Sequence, residues 1–598
     1  MFQSFDTTSS PEHGSSRLAD LRAQMVAEGI NGFLIPRADA HQGEYVAPRD
    51  ERLLWLTGFT GSAGFCCALE TDAGVFIDGR YRTQVKTQVD LDHFSPVPWP
   101  ETSLSDWLKE QLPDGGVIGF DPWLMPQGQL EAHEKALADT GITLKPTENL
   151  VDRIWADQPA PPMTLAFAYP IEYAGKSSVD KRQDCANDIS GKGEDAAVIT
   201  LPDSLCWLLN VRGNDVSKTP LMHGFAVLHA DAKVQLFVEP EKTAALDPDP
   251  SITQAAPAEF LAALAALTGK VRCDKISVPV AVIHALQSGS AEITYGDEPC
   301  VLPKARKNSV EIAGTRAAHI TDATAMCELL CWLEAQPSGS TTEIDVVTQL
   351  EQRRRATNAL QDISFDTIAG AGSNGAIMHY RVTHETSRTL ENGDLLVLDS
   401  GGQYLNGTTD ITRTIGIGDV ENEEREAFTR VLQGMIAISK MRWPKGLAGR
   451  DIEAVGRVPL WRAGQDFDHG IGHGVGHFLG VHEGPQRLSR ISKVPLEPGM
   501  ILSNEPGYYR EGAFGIRIEN LIVVQPAGTL ASEDTHREMY DFETLTYVPI
   551  SRDLIRTDVL SVDEISWMNS YHAACFEKLD GLLSEAAQDW LQRATQPL

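Results

Sequence analysis

Five side chains suited to divalent cations, Asp399, Asp410, His473, Glu505 and Glu519, fall within about a fifth of this 598-residue chain. Each lies in a short segment shaped to hold it: LLVLDSGGQYLNGTTDITRT at 395–414, DHGIGHGVGHFLGVHEGP at 468–485 and ILSNEPGYYREGAFGIRIEN at 501–520. Four carboxylates and one imidazole offer mostly oxygen, which suits a hard or borderline ion such as Mn²⁺, with Zn²⁺ and Co²⁺ as competitors. No cysteine takes part. Carboxylates brought together repel one another, so their convergence calls for cations. Two divalent ions balance four negative charges and leave a bridging hydroxide as nucleophile, the pattern of a two-metal hydrolase.

The elements around these residues predict rigid supports. Leu395 to Leu398 read as an apolar strand ending in Asp399, and TTDITRTI (408–415) alternates, placing Asp410, Thr412 and Thr414 on one face. Asn406-Gly407 supplies turn chemistry between them, so a hairpin brings both aspartates to one place. GIRIENLIVV (515–524) also alternates and puts Arg517 and Glu519 on one face, while Glu505 follows an apolar run and precedes a Pro-Gly break. Glycines 470, 472, 474 and 476 predict a backbone that passes close to metal and substrate. Upstream, Asn308 with Glu311 predicts a capping box opening a helix that carries Ile312, Ala323, Met326, Leu330 and Leu333.

The rest of the chain is organised to present this region. Its length calls for about three domains plus an extension. Three prolines in four residues within ADQPAPPMTLAF (156–167) mark a first linker, and VLPKARKNS (301–309) marks a second boundary. The divisions expected are 1–157, 165–303, 304–535 and 536–598. In the first, a helical 15–30 alternates with short apolar runs NGFLIP, GFCCAL and GVFID around turn glycines, an α/β pattern. Residues 194–215 echo residues 32–64: an apolar strand, a polar stretch, Trp-Leu (Trp55, Trp207) and a Gly-rich turn, so two related domains are expected. Both tryptophans read as core, and FLAALAALTG (260–269) as a buried helix.

Charge and cysteines narrow the setting. Lys+Arg 51 against Asp+Glu 83 gives a formal charge of -32, which argues against nucleic acid or an anionic membrane as partner. Nine cysteines without paired spacing favour a reducing compartment, and the polar first residues lack an apolar signal core. No run approaches membrane-spanning length, so a cytoplasmic enzyme is expected. TGFTGSAG (57–64) lacks the Gly-Lys-Ser/Thr ending of a phosphate loop.

Taken singly, the site residues are ordinary. An Asp before Ser-Gly-Gly is usually a turn former, Glu505 and Glu519 could be ion-pair or capping groups, and Arg517 a simple ion-pair partner. His379, in NGAIMHYR, could be a buried structural histidine. Their joint occurrence overturns the ordinary reading for the five ligands. The order Asp, Asp, His, Glu, Glu with DSGGQY, GTTDITRT, GHGVG, VHEGP, NEPGYY and GIRIEN resembles the pita-bread metallopeptidases. Within them it looks most like the aminopeptidase P (Xaa-Pro aminopeptidase) group, of the long three-domain cytosolic type. YVAPRDERLLWLTGFTGSAG with FIDGRY resembles that group's N-terminal domain, and DFETLTYVPI its C-terminal extension.

The resemblance implies an α/β (α+β) architecture: two creatinase-N-like domains (1–157, 165–303), a pita-bread catalytic domain (304–535) and an extension packed on it. It also implies two divalent ions, with Asp399 on one, His473 and Glu505 on the other, and Asp410 and Glu519 bridging. His379, His469 and His482 become substrate or transition-state contacts, Arg517 a partner of a ligand carboxylate, and Glu505 the proton shuttle. The substrate would be a peptide with an N-terminal Xaa-Pro pair, and the assembly a homodimer. One departure is His477, where the group often has a small residue after GHGVG; it reads as a surface or packing change and not as a ligand. Prolidase, restricted to Xaa-Pro dipeptides, shares all five ligands, but length and the extension disfavour it. A creatinase-like enzyme without metal, or a non-catalytic binding protein on the same scaffold, would be expected to have lost ligands, and none is missing.

Overall fold

The computed structural model describes residues 1–530, 534 and 536–598. Two compact units emerge, one of Thr8–Val301 and one combining Met1–Thr7 with Leu302–Leu598.

The first unit contains one sheet twice. Strands β1 (Gly32–Pro36), β2 (Phe65–Leu69), β3 (Ala73–Ile77), β4 (Ser95–Pro98), β5 (Gly116–Phe120) and β6 (Ile142–Pro146) lie in the order β4-β3-β2-β1-β5-β6. Strands β7 (Ala196–Ile199), β8 (Phe225–His229), β9 (Val234–Phe237), β10 (Ile252–Ala255), β11 (Lys270–Cys273) and β12 (Glu292–Tyr295) lie in the order β10-β9-β8-β7-β11-β12. In the first sheet β1–β2 and β2–β3 are antiparallel and the other neighbours parallel. The second repeats every relation, so the echo in sequence corresponds to a repeated topology. Helices α1 (Gly14–Glu28) and α2 (Ser178–Gly191) precede the two sheets. Leu18, Leu21 and Met25 of α1, and Cys185, Ala186 and Ile189 of α2, are buried.

Two expectations in this unit need adjusting. Trp207 is buried, but Trp55 is half-buried and stacks on Trp155 with ring centroids 5.3 Å apart. The 260–269 helix stops at Ala265, with Phe260 and Leu264 facing the core, and Gly269 then turns the chain with a positive φ of 74°. All nine cysteines are free thiols, eight of them buried. Among the described residues no helix is long and apolar enough to cross a membrane.

The second unit positions the candidate site. Helix α3 (Ser309–Glu334) opens with the expected capping box: Asn308 accepts from the Val310 and Glu311 amides while Glu311 accepts from the Asn308 amide, worth about 1 kcal/mol. Helix α4 (Glu343–Ala356) follows. The strands are β13 (Leu360–Ile363), β14 (Ile368–Ala371), β15 (Leu395–Ser400), β16 (Gly402–Tyr404), β17 (Gly407–Thr408), β18 (Ile411–Gly416), β19 (Arg442–Pro444), β20 (Gly472–Gly474), β21 (Glu483–Leu488), β22 (Ile501–Asn504), β23 (Gly507–Arg510), β24 (Phe514–Arg517), β25 (Asn520–Pro526) and β26 (Met539–Thr544). They form sheets β14-β15-β18, β13-β16-β17, β23-β24 and β19-β26-β25-β22-β20-β21.

Helices cover these sheets. Met326, Leu330, Val346 and Leu350 of α3 and α4 pack with Leu396, Leu398 and Ile411. From α5 (Asn422–Ser439) and α6 (Gly449–Trp461), Phe428, Leu432, Met435, Ile452 and Leu460 pack with Leu502, Ile522 and Val524. Two final helices, α7 (Val562–Leu579) and α8 (Glu585–Ala594), place Met568, Tyr571 and Cys575 in the second cluster and Leu579, Trp590 and Leu591 in the first. The expected boundary at 535 lies outside the described residues.

Both ligand-bearing hairpins form, but neither is continuous. The arm β15/β18 breaks at Gly401 and at Thr409–Asp410 before the tip β16/β17. The arm β22/β25 breaks at Glu505–Pro506 and at Ile518–Glu519 before the tip β23/β24. GIRIENLIVV is therefore two strands in two sheets. At its break the Glu519 amide donates to the Thr412 carbonyl (3.1 Å) and the Ile518 amide to the Pro506 carbonyl (3.3 Å), so the backbone changes partners there and its polar groups stay satisfied. Asp410, Glu505 and Glu519 all sit at such breaks.

Candidate metal centre

The broken hairpins converge. Asp410, His473 and Glu519 each bring a ligand atom within 4.8 Å of the others. His473 Nε2 lies 3.5 Å from Asp410 Oδ2 and 3.5 Å from Glu505 Oε1. Asp399 reaches the group through its ladder partner Thr412, whose hydroxyl donates to Glu519 Oε2 at 2.8 Å. Thr414 bonds the backbone of Arg517 in both directions, Oγ1 to O at 2.9 Å and N to Oγ1 at 3.0 Å. The face of Asp410, Thr412 and Thr414 thus meets the Arg517–Glu519 segment.

Ring nitrogens and hydroxyls set orientation. His473 Nδ1 is 2.9 Å from the Gly474 carbonyl, which fixes the proton on Nδ1 and turns Nε2 toward the carboxylates. Ser503 Oγ receives the His473 amide at 2.9 Å and donates to Glu505 Oε1 at 3.1 Å. The glycines flanking His473 allow a close approach of neighbouring backbone. A Cβ on Gly472 would stand 1.9 Å from the Ser503 carbonyl and one on Gly474 2.1 Å from the Glu483 carbonyl, so β20 is pressed between its neighbours.

The electrostatics demand compensation. Burial, then repulsion from Glu519, Asp399 and Glu505, holds the Asp410 carboxyl well above its usual range. Burial with Glu505 and Asp399 does the same to Glu519. Burial raises Glu505 to about 7 despite the opposing Arg517 guanidinium. Arg517 is a buried cation among the four carboxylates: Nη2 donates to Asp399 Oδ2 at 2.6 Å and Nε to Thr412 Oγ1 at 3.3 Å. Asp399 Oδ1 and Asp410 Oδ1 are buried and accept no hydrogen bond from the described residues. Uncompensated buried carboxylates cost several kcal/mol each, whereas oxygen atoms aimed at one space suit divalent cations. This donor set fits two such ions.

The histidines differ among themselves. The His482 ring packs edge-on to His473 at 4.2 Å between centroids. His379 is half-buried and follows Met378, whose carbonyl accepts from Arg517 Nη1 at 3.2 Å. His469 has both ring nitrogens engaged: Nδ1 with the Gly470 carbonyl (2.7 Å) and Nε2 with Tyr509 Oη (2.9 Å). Tyr509 also accepts from Arg517 Nη1 at 2.6 Å, making a chain Arg517–Tyr509–His469. Burial lifts the Tyr509 phenol to about 12, so it remains a donor. Sequence reasoning missed Tyr509; its place in NEPGYY, beside a ligand, was the available signal. His477 is buried, its Nδ1 3.1 Å from Thr315 Oγ1, a packing residue and not a surface one.

Buried carboxylates around one imidazole, on broken hairpins, define the centre of a carboxylate-rich metallohydrolase. The model of metallopeptidase family M24 matches residues 313–526. The Creatinase/Prolidase N-terminal domain matches twice, at 17–154 and 157–311, and the C-terminal region of peptidase M24 matches 538–598. Aminopeptidase P2 of Arabidopsis thaliana is 36% identical over 95% of this chain and 86% of its own length. Probable Xaa-Pro aminopeptidase P of Aspergillus niger is 35% identical over 98% of this chain and 99% of its own. The X-prolyl aminopeptidase of Caenorhabditis elegans, described as a cytosolic enzyme with a di-nuclear active site, has a TM-score of 0.92 at 29% identity, covering 98% of this chain and 100% of that one. A prolidase from Pyrococcus horikoshii shares the fold over 62% of this chain, with a TM-score of 0.50 and 23% identity. This chain belongs to metallopeptidase family M24.

Proposed function

We propose that this protein removes the N-terminal residue from peptides with proline second, using two divalent cations, for which the oxygen-rich donor set favours Mn²⁺ over Zn²⁺ or Co²⁺. The observation that carries the reading is the convergence of Asp410, His473 and Glu519 within 4.8 Å, beside buried carboxylate oxygens that accept nothing from the described residues. Asp399 would hold one cation, His473 and Glu505 the other, and Asp410 and Glu519 both. Bound there, the cations supply an acidified water and Lewis-acid polarisation of the scissile carbonyl.

The chain's own groups do the rest. Glu505, 3.5 Å from His473 Nε2, takes a proton as water attacks and passes it to the prolyl nitrogen. His482 donates to the developing oxyanion. His379 faces the leaving side, where a prolyl amide has no N–H to satisfy. Arg517 holds Asp399 in place. The free amino terminus rests by the carboxylates, which excludes internal cleavage. Full-length similarity to enzymes named for Xaa-Pro aminopeptidase activity supports this reading.

Rates on three substrate series test it. Xaa-Pro-Yaa peptides are cut, Xaa-Ala-Yaa at least about a hundredfold more slowly, and amino-blocked peptides not at all. Equal rates on proline and alanine series indicate a broad aminopeptidase, and cleavage confined to dipeptides indicates a prolidase. The proposed assembly is a cytoplasmic homodimer; light scattering that reports only monomer at micromolar concentration contradicts the dimer.

A further inference from the structure

We propose that residues Gln3–Phe5 form a strap that positions the segment carrying His379, an inference that rests on His379 acting in the transition state. Between Ala376 and Thr389 the chain has neither helix nor strand; beyond the turn closed by the Tyr380 amide on the Ile377 carbonyl (3.0 Å) and the Arg517 bond to the Met378 carbonyl (3.2 Å), bonds from two sides set where the His379 segment sits. On one side those bonds come from α4. Glu343, fully buried, accepts from the Ala371 amide (2.7 Å), the Tyr380 hydroxyl (2.9 Å) and the Arg388 amide (2.9 Å). The other side is held by the strap. The His384 amide donates to the Phe5 carbonyl at 2.9 Å, Arg381 Nη2 donates to the Ser4 carbonyl at 3.2 Å, and the Phe5 ring meets His384 edge-on at 5.9 Å.

The strap is itself anchored to the scaffold of the centre. Gln3, 4% exposed, bonds the Thr367 backbone in both directions, Nε2 to the carbonyl at 3.2 Å and Oε1 from the amide at 2.8 Å. Thr367 leads into β14, where Ile368 pairs with Asp399. Glu351 of α4 accepts the Phe2 amide at 2.8 Å, and the Arg355 guanidinium lies 4.3 Å over the Phe2 ring. A segment that only covered surface would not need a buried glutamine satisfied at both ends of its amide. The geometry ties the irregular His379 segment to the ladder of Asp399, so these residues are positioning residues. They touch no reacting group.

The test is a double-mutant cycle in the full, metal-loaded chain. Gln3→Ala/Phe5→Ala is made in the native sequence and in His379→Ala, and kcat, KM and metal content are measured with an Xaa-Pro-Yaa peptide. Expected are a kcat lower by about tenfold, a KM within about twofold, unchanged metal content, and no further loss in the His379→Ala background. A native kcat in the strap variant while His379→Ala loses turnover overturns the strap alone. Losses that multiply overturn it too, because the strap would then act elsewhere. An unaffected His379→Ala removes the role of His379 and the strap with it. Should the double variant yield no folded protein, Phe5→Ala gives the same comparison.

Discussion

Arg517 Nη2 donates to Asp399 Oδ2 at 2.6 Å from a fully buried guanidinium, so the protein itself neutralises one carboxylate of the four. The same guanidinium reaches Thr412 Oγ1, Tyr509 Oη and the Met378 carbonyl, joining both ligand hairpins to the segment before His379. A planar fork makes these contacts together; a lysine ammonium cannot. Arg517→Lys is therefore expected to lower kcat/KM by about ten- to a hundredfold and to weaken one cation more than the other. Kinetics alongside a metal titration check this, and native values for both would reduce Arg517 to an ordinary ion-pair partner.

Carboxyl groups raised above their usual range give the metal-free protein a signed pH dependence. Glu505 moves from 4.5 to about 7 by burial, and Asp410 and Glu519 move up as well. An acid whose folded pKa is raised contributes stability that is complete below its unfolded pKa and lost as pH rises through the folded one. Metal-free protein should lose thermal stability from about pH 5 to 8, and saturating Mn²⁺ should restore more at pH 8 than at pH 5, with protons released on binding. An equal shift in melting temperature across that range would contradict it.

His379→Ala and His482→Ala should keep the fold and both metals while losing about ten- to a thousandfold in turnover. Metal content is the internal control. Unchanged kinetics would return both histidines to a structural role.

What the sequence made legible was local. The capping box at Asn308 and Glu311, the strand ending in Asp399 and the shared face of Asp410, Thr412 and Thr414 are short-range patterns, and each has its counterpart in the structure. The break at Ile518–Glu519 was not legible, because alternation with period two looks the same whether a strand continues or changes sheet, whereas Pro506-Gly507 had marked the break after Glu505. Tyr509 as the link from Arg517 to His469 depends on which face of a hairpin tip turns inward. The bond between Gln3 and Thr367 spans 364 positions and has no local signature at all. His477 looked peripheral because nothing nearby in sequence shows that Thr315 and Gly314 pack against it.

The central claim is that Asp410 and Glu519 are shared between two cations. Its most direct test is elemental analysis of purified chains, native, Asp410→Ala and Glu519→Ala, read beside turnover on an Xaa-Pro-Yaa peptide. The account predicts two divalent ions per native chain, loss of bound metal in each variant, and activity lost with it. Either variant retaining two metals per chain and near-native turnover would contradict the shared-ligand centre.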